Sequence, residues 1–163
     1  CGCTSLSSSA MHTVKYLFET IGNVDLNIRD KWSRTAFMIV CENGQEYILR
    51  YFHKKLGIVD VNDTDKNGET ALILASICGN IDIIKYLHKR IGNLDVDASD
   101  SNEMTALMHA CWEGHDYVVE YLIWKAKADL YIEDDRGWNA KTYAIRSGHD
   151  EVVKLFRKIP FFS

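Results

Sequence analysis

No stretch of the 163-residue chain holds the roughly 18 to 20 apolar residues needed to span a bilayer, because Lys, Arg, Asp or Glu breaks every apolar run within a few positions. A soluble chain without a membrane partner is expected. Positive charge is scarce too: 19 Lys and Arg stand against 23 Asp and Glu, split as −1 over residues 1–81 (8 basic, 9 acidic) and −3 over the remainder (11 basic, 14 acidic). With no broad basic field to steer a phosphate backbone, nucleic acid is not an expected partner. Cysteine is sparse and odd in number, at Cys1, Cys3, Cys41, Cys78 and Cys111. That usage suits a reducing, cytoplasmic compartment better than a secreted disulfide framework. Cys1-Gly2-Cys3 has half the spacing of a metal site but no matching Cys or His pair elsewhere, so neither a metal nor a cofactor is expected.

The signatures of catalysis are missing as well. There is no glycine-rich phosphate loop, no HExxH and no Gly-x-Ser-x-Gly. The six histidines fall at separate positions with no nucleophile or second base converging on them. No catalytic residue is assigned, and the chain is not expected to be an enzyme.

What is present is a repeat. Thr35-Ala36-Phe37, Thr70-Ala71-Leu72 and Thr105-Ala106-Leu107 recur at intervals of 35, and Asn139-Ala140 follows 34 later. Nine residues beyond each Thr or Asn stands a glycine, at Gly44, Gly79, Gly114 and Gly148. Apolar clusters follow each glycine: Ile48-Leu49-x-Tyr51-Phe52, Ile83-Ile84-x-Tyr86-Leu87, Val118-Val119-x-Tyr121-Leu122 and Val152-Val153-x-Leu155-Phe156, with a weaker copy at Val14-x-Tyr16-Leu17. Steps of three and four between apolar positions are the spacing of one helical face, so each unit reads as two short helices. Thr and Asn are good N-caps, and a glycine between helices fits a left-handed exit. Lys54-Lys55, Lys89-Arg90 and Arg157-Lys158 fall in last turns, where positive charge complements the helix dipole. Strips such as Gly57-Ile58-Val59-Asp60-Val61-Asn62 read as extended fingers ending in tight turns. One such unit cannot bury its own apolar face, so the units must stack. The chain has no initiator Met and opens inside a unit, so a piece of a longer protein is expected.

These residues resemble the ankyrin repeat. The best match is Asp65-Lys66-Asn67-Gly68-Glu69-Thr70-Ala71-Leu72 with Ala75, Gly79 and Ile83-Ile84, followed by Asp100, Thr105-Ala106-Leu107, Ala110, Gly114-His115 and Val118-Val119. The resemblance implies an all-α ankyrin-repeat solenoid of four to five helix-turn-helix units joined by hairpin-like fingers. One domain over 1–163 is expected, with a degenerate N-terminal cap at about 1–29, units at 30–64, 65–99 and 100–133, and a C-terminal cap at 134–163. The chain departs from the family in having Ala for the proline after Thr, and Met38, Ile73, Met108 and Thr142 for the following His; Lys127 replaces a turn glycine. His115 and His149 occupy the family's Gly-His slot, where imidazoles tie loops together. His109 shares an inward slot with Ile39, Leu74 and Tyr143 and reads as a satisfied core histidine.

The resemblance also implies a non-catalytic scaffold that binds a protein or peptide along the finger tips and first helices. The residues this points to are Trp32, Arg34, Asn67, Ile77, Met104, Trp112, Asp135, Arg136, Trp138 and Arg146. Trp, Met and Arg are enriched at interfaces, and three of the four Trp fall on this one face. Packing of Trp32 and Trp138 onto neighbouring fingers stands as the other reading, and Trp124 is assigned to packing or to the opposite surface. The module is expected to be monomeric in itself. The alternative is a regulatory or spacer module of a larger enzyme, channel or effector.

Overall fold

The computed structural model describes residues 27–56 and 60–159, together with Tyr16, Thr20 and Asp25. Most of the expected cap at 1–29, with Cys1, Cys3 and His12, therefore lies outside the described residues, as do Gly57 to Val59 of the first complete finger.

The regular elements are helices: α1 (Ala36–Glu42), α2 (Glu46–Leu56), α3 (Ala71–Ile77), α4 (Ile81–Arg90), α5 (Ala106–Glu113), α6 (Asp116–Tyr121), α7 (Ala140–Arg146) and α8 (Asp150–Arg157). A π-helical turn, Leu122–Ala126, continues α6 and ends at Lys127 with φ 64°. Between helix pairs no strand forms among the described residues, apart from isolated antiparallel bridges joining Thr64 to Thr70 and Ser99 to Thr105.

The helix starts are set by the repeating polar residue. Thr35, Thr70 and Thr105 accept through their hydroxyls from the amides of Met38, Ile73 and Met108, and Asn139 accepts from Thr142. Each cap satisfies one of the donors that a helix N-terminus leaves unpaired. Replacing Thr105 by Ala is accordingly expected to cost about 1 kcal/mol in chemical denaturation, with most of the loss restored by Ser.

Packing follows from the pairs. The first helices α1, α3, α5 and α7 lie one against the next, while α2, α4, α6 and α8 form a second row whose members approach less closely. Phe37, Leu49, Leu72, Ile84, Leu107, Val119 and Phe156 fill the continuous core between the rows. Cys41 and Cys111 are buried among them, and burial pushes both thiols far above the usual cysteine range. They pack as small apolar side chains.

Histidine ties the repeats together at two levels. His115 Nε2 donates to the Ile77 carbonyl (2.9 Å) and His149 Nε2 to the Trp112 carbonyl (2.8 Å), so each inter-helix turn is clamped to the helix end before it. On the second row, His53 Nδ1 shares a hydrogen bond with the Tyr86 hydroxyl (2.8 Å) and His88 Nδ1 with that of Tyr121 (3.0 Å). The ring pairs match in geometry, edge-on at 82° with centroids 5.7 Å apart.

Candidate functional site

Four aspartates build the turns that lead into the first helices. One carboxylate oxygen of each accepts two backbone amides: Asp30 from Trp32 and Arg34, Asp65 from Asn67 and Glu69, Asp100 from Asn102 and Met104, and Asp134 from Arg136 and Trp138. This folds the chain so that the two residues after each Asp stand at a tip. Adjacent tips are linked through the backbone, with Lys66 N donating to the Trp32 carbonyl (3.0 Å) and Ser101 N to that of Asn67 (2.9 Å).

The second carboxylate oxygen is filled differently in each turn. Arg34 donates to that of Asp30 (3.0 Å), His109 Nε2 to that of Asp100 (2.9 Å), and the Tyr143 hydroxyl to that of Asp134. At Asp65 the neighbour is another carboxyl, that of Glu69; burial pushes Glu69 up, and Asp65 adds to the effect. Burial also acts to raise Asp30 and Asp134, yet hydrogen bonds from Arg34 and from Tyr143 with the turn amides outweigh it and hold both carboxyls below their ordinary value.

The proposed surface residues fall into groups. Trp32, 43% exposed, lies beneath two cations, Lys31 Nζ at 4.0 Å and the Arg34 guanidinium at 4.7 Å from its ring centroid. Arg34 itself is tethered, reaching both Asp30 and Glu42 (2.8 Å). Asn67 is exposed at its tip with its amide 3.3 Å from Glu69. Ile77 is partly buried against the core.

At the other end the side chains converge on Tyr143, which is 1% exposed. Trp112 stacks on it with centroids 5.2 Å apart and planes 24° from parallel, and Trp138 meets it edge-on at 5.6 Å. Arg146 (4.0 Å) and Arg136 (5.6 Å) both stand over the Trp138 ring, and Arg136 pairs with Asp135 at 3.6 Å. Trp112 keeps 44% of its surface exposed. Five of the ten predicted residues, Trp112, Asp135, Arg136, Trp138 and Arg146, therefore share one patch supported by a buried ring. Such a patch presents flat apolar area and fixed cations together, the chemistry of an interface anchor.

Met104 is a correction. It was expected at the surface, but it is 4% exposed and part of the core: the backbone at this position is fixed by the turn aspartate in every copy, and the unbranched apolar thioether packs into the core rather than standing at the tip. Tyr143 was read only as a core residue; its support of two tryptophans emerges from the stacking. Trp124 lies on the second row and lines a cleft of about 410 Å³ with Lys85, Tyr117 and Lys125, away from the first helices. Among the described residues one set has metal-ligand character: donor atoms of Glu69, Asp100 and His109 all lie within 4.8 Å of one another.

No helix among the described residues is long and apolar enough to cross a membrane. No curated protein matches the chain. A family model described as ankyrin repeats (3 copies) matches residues 5–100 and 89–159.

Proposed function

The chain belongs to the ankyrin repeat family, and on that premise we propose a cytoplasmic, non-catalytic recognition module that binds a partner protein or peptide through the turn tips and first helices, with Trp112, Trp138, Arg136 and Arg146 at the centre. Ankyrin repeats are in general protein-interaction modules. The observation that carries the placement is the half-exposed Trp112, held against a buried tyrosine rather than free to collapse onto the surface. A pre-positioned ring loses little side-chain entropy on binding, which is what makes it an effective anchor. We further take the units to run over 30–64, 65–99, 100–133 and 134–163, capped by about 1–29 and joined by hairpin-like fingers. Four or five first helices spaced roughly 8 to 10 Å apart would offer a groove of about 40 Å, enough for an extended peptide or a helix.

Affinity capture from the source cell with cross-linking mass spectrometry tests the reading. Cross-links should concentrate on tips and first helices of the stack. Trp112→Ala should weaken capture by about 2 kcal/mol, roughly thirtyfold, while the loss of its stack on Tyr143 lowers stability by about 1 kcal/mol and leaves the chain folded at the assay temperature. Undiminished capture by Trp112→Ala would move the surface elsewhere. Cross-links confined to the chain's own polypeptide would favour a spacer.

A further inference from the structure

We propose that Glu69, Asp100 and His109 form a binding site for a first-row divalent transition ion of the Zn²⁺ type, set between the turns that lead into α3 and α5. The three residues come from two successive repeats: Glu69 directly precedes the cap Thr70, Asp100 opens the next turn, and His109 lies in the first half of α5. Their donor atoms are all within 4.8 Å of one another, and the closest pair, His109 Nε2 and Asp100 Oδ2, is 2.9 Å apart. Donors bound at about 2.0–2.2 Å around a tetrahedral ion stand roughly 3.4 Å from each other, so the set closes when Glu69 rotates inward and the His109–Asp100 pair opens by about 0.5 Å. Asp100 is held in place through its other oxygen, which accepts from the amides of Asn102 and Met104; the ion takes the place of the His109 Nε2 proton that bridges to Oδ2, so binding releases that proton.

Charge gives an independent reason to place a cation there. Asp65, Glu69 and Asp100 bring three carboxyls together against one imidazole, and among the described residues no Lys or Arg pairs with any of them. The turn at Asp65 differs from its counterparts, because its neighbour is the Glu69 carboxyl rather than a donor. Asp30 has the Arg34 guanidinium, and Asp134 has the Tyr143 hydroxyl with Arg136 nearby. A divalent ion offsets the excess that those groups offset elsewhere. An imidazole beside two carboxylates suits Zn²⁺, Co²⁺ or Mn²⁺, whereas Ca²⁺ and Mg²⁺ favour oxygen ligands. His109 retains 16% side-chain exposure, so the notch is not sealed from solvent. At the same repeat position Ile39 and Leu74 carry no ligand, so this notch is distinct within the stack.

The test uses the full chain, freed of metal, titrated with Zn²⁺ by calorimetry and with Co²⁺ by absorption. One ion per chain is expected, with cobalt d–d bands but no thiolate charge-transfer band, and with a rise in thermal midpoint on adding zinc. His109→Leu, which copies Leu74, removes one of the three donors and should keep the helical circular dichroism while abolishing saturable ion binding and the midpoint shift. Should that variant fold poorly, Glu69→Gln serves with the same expected loss. Absence of saturable binding overturns the site. So does binding unchanged in both variants, or a thiolate band that places the ion on cysteines. None of these outcomes bears on capture by the Trp112 patch.

Discussion

Gly114→Ala is expected to destabilise the fold by about 2–4 kcal/mol, against about 1–2 kcal/mol for the same change at Gly148. Both glycines are left-handed, with φ +77° and +73°, so both substitutions carry the backbone strain of an L-residue in that region. What differs is the space. A Cβ on Gly114 would stand 2.5 Å from Nδ1 and 2.6 Å from Cε1 of His149, whereas one on Gly148 meets nothing within 4 Å. The His149 ring cannot step aside freely, because its other nitrogen donates to the Trp112 carbonyl. Moving it breaks that bond and leaves a helix-end carbonyl without its donor. Urea denaturation of the two variants measures the difference directly. A double variant isolates the cause: in a His149→Ala background, Gly114→Ala should cost no more than Gly148→Ala does alone. Equal costs in the presence and absence of the ring would show that the clamp does not matter.

That clamp was legible in the sequence. The nine-residue interval from cap to glycine specifies a helix and a left-handed exit through local chemistry, and the family resemblance implies the tie made by the following His in the third and fourth copies, which reaches across to the preceding repeat. The surface was legible only in part, and one repeat position shows why. Arg34, Glu69, Met104 and Trp138 all occupy the place just before the cap, where the amide is bound to the turn aspartate in every copy. The backbone role is fixed there and the side chain is free to vary. Arg34 reaches two carboxylates, Glu69 faces Asp65, Trp138 leans on Tyr143, and Met104 drops into the core. A position that tolerates a cation, an anion, a thioether and an indole carries no periodic hydrophobic signal, so its burial depends on neighbours from other repeats. His109 poses the same difficulty. Its inward direction follows from the repeat, but its meeting with Asp100 and Glu69 depends on how two turns stack. Lys127 is a milder case: it is left-handed, with φ 64°, and follows a π-helical turn that the helical period of the sequence does not announce.

Tyr143→Ala is expected to cost about 3–5 kcal/mol, the largest single loss foreseen here, because it removes a fully buried aromatic ring whose volume the helices cannot close over. The same change removes the surface on which Trp112 stacks and against which Trp138 stands. Tyr143→Phe separates the two roles. It keeps the ring and withdraws only the hydroxyl from the buried Asp134 carboxylate, for about 1–3 kcal/mol at neutral pH. That cost should depend on pH with a definite sign. Asp134 is held below its ordinary value of 3.8, so its contribution is present above that pH and is lost as pH falls through the lower folded-state value. Without the tyrosine donor the depression is smaller, and the gap between wild type and Tyr143→Phe should narrow as the solution is acidified below about 4. On the alkaline side, burial and then Asp134 push Tyr143 well above its ordinary value of 10.0. The wild type therefore loses stability as pH rises past that value, and Phe, having no proton to lose, does not. Denaturant melts of both proteins across pH read each trend. Partner capture, measured under conditions where each variant is still folded, then distinguishes the ring from the hydroxyl. Retention by Phe with loss in Ala would mean that the tyrosine serves recognition by holding two tryptophans in place, whereas full capture by a folded Ala variant would remove the patch from the binding surface.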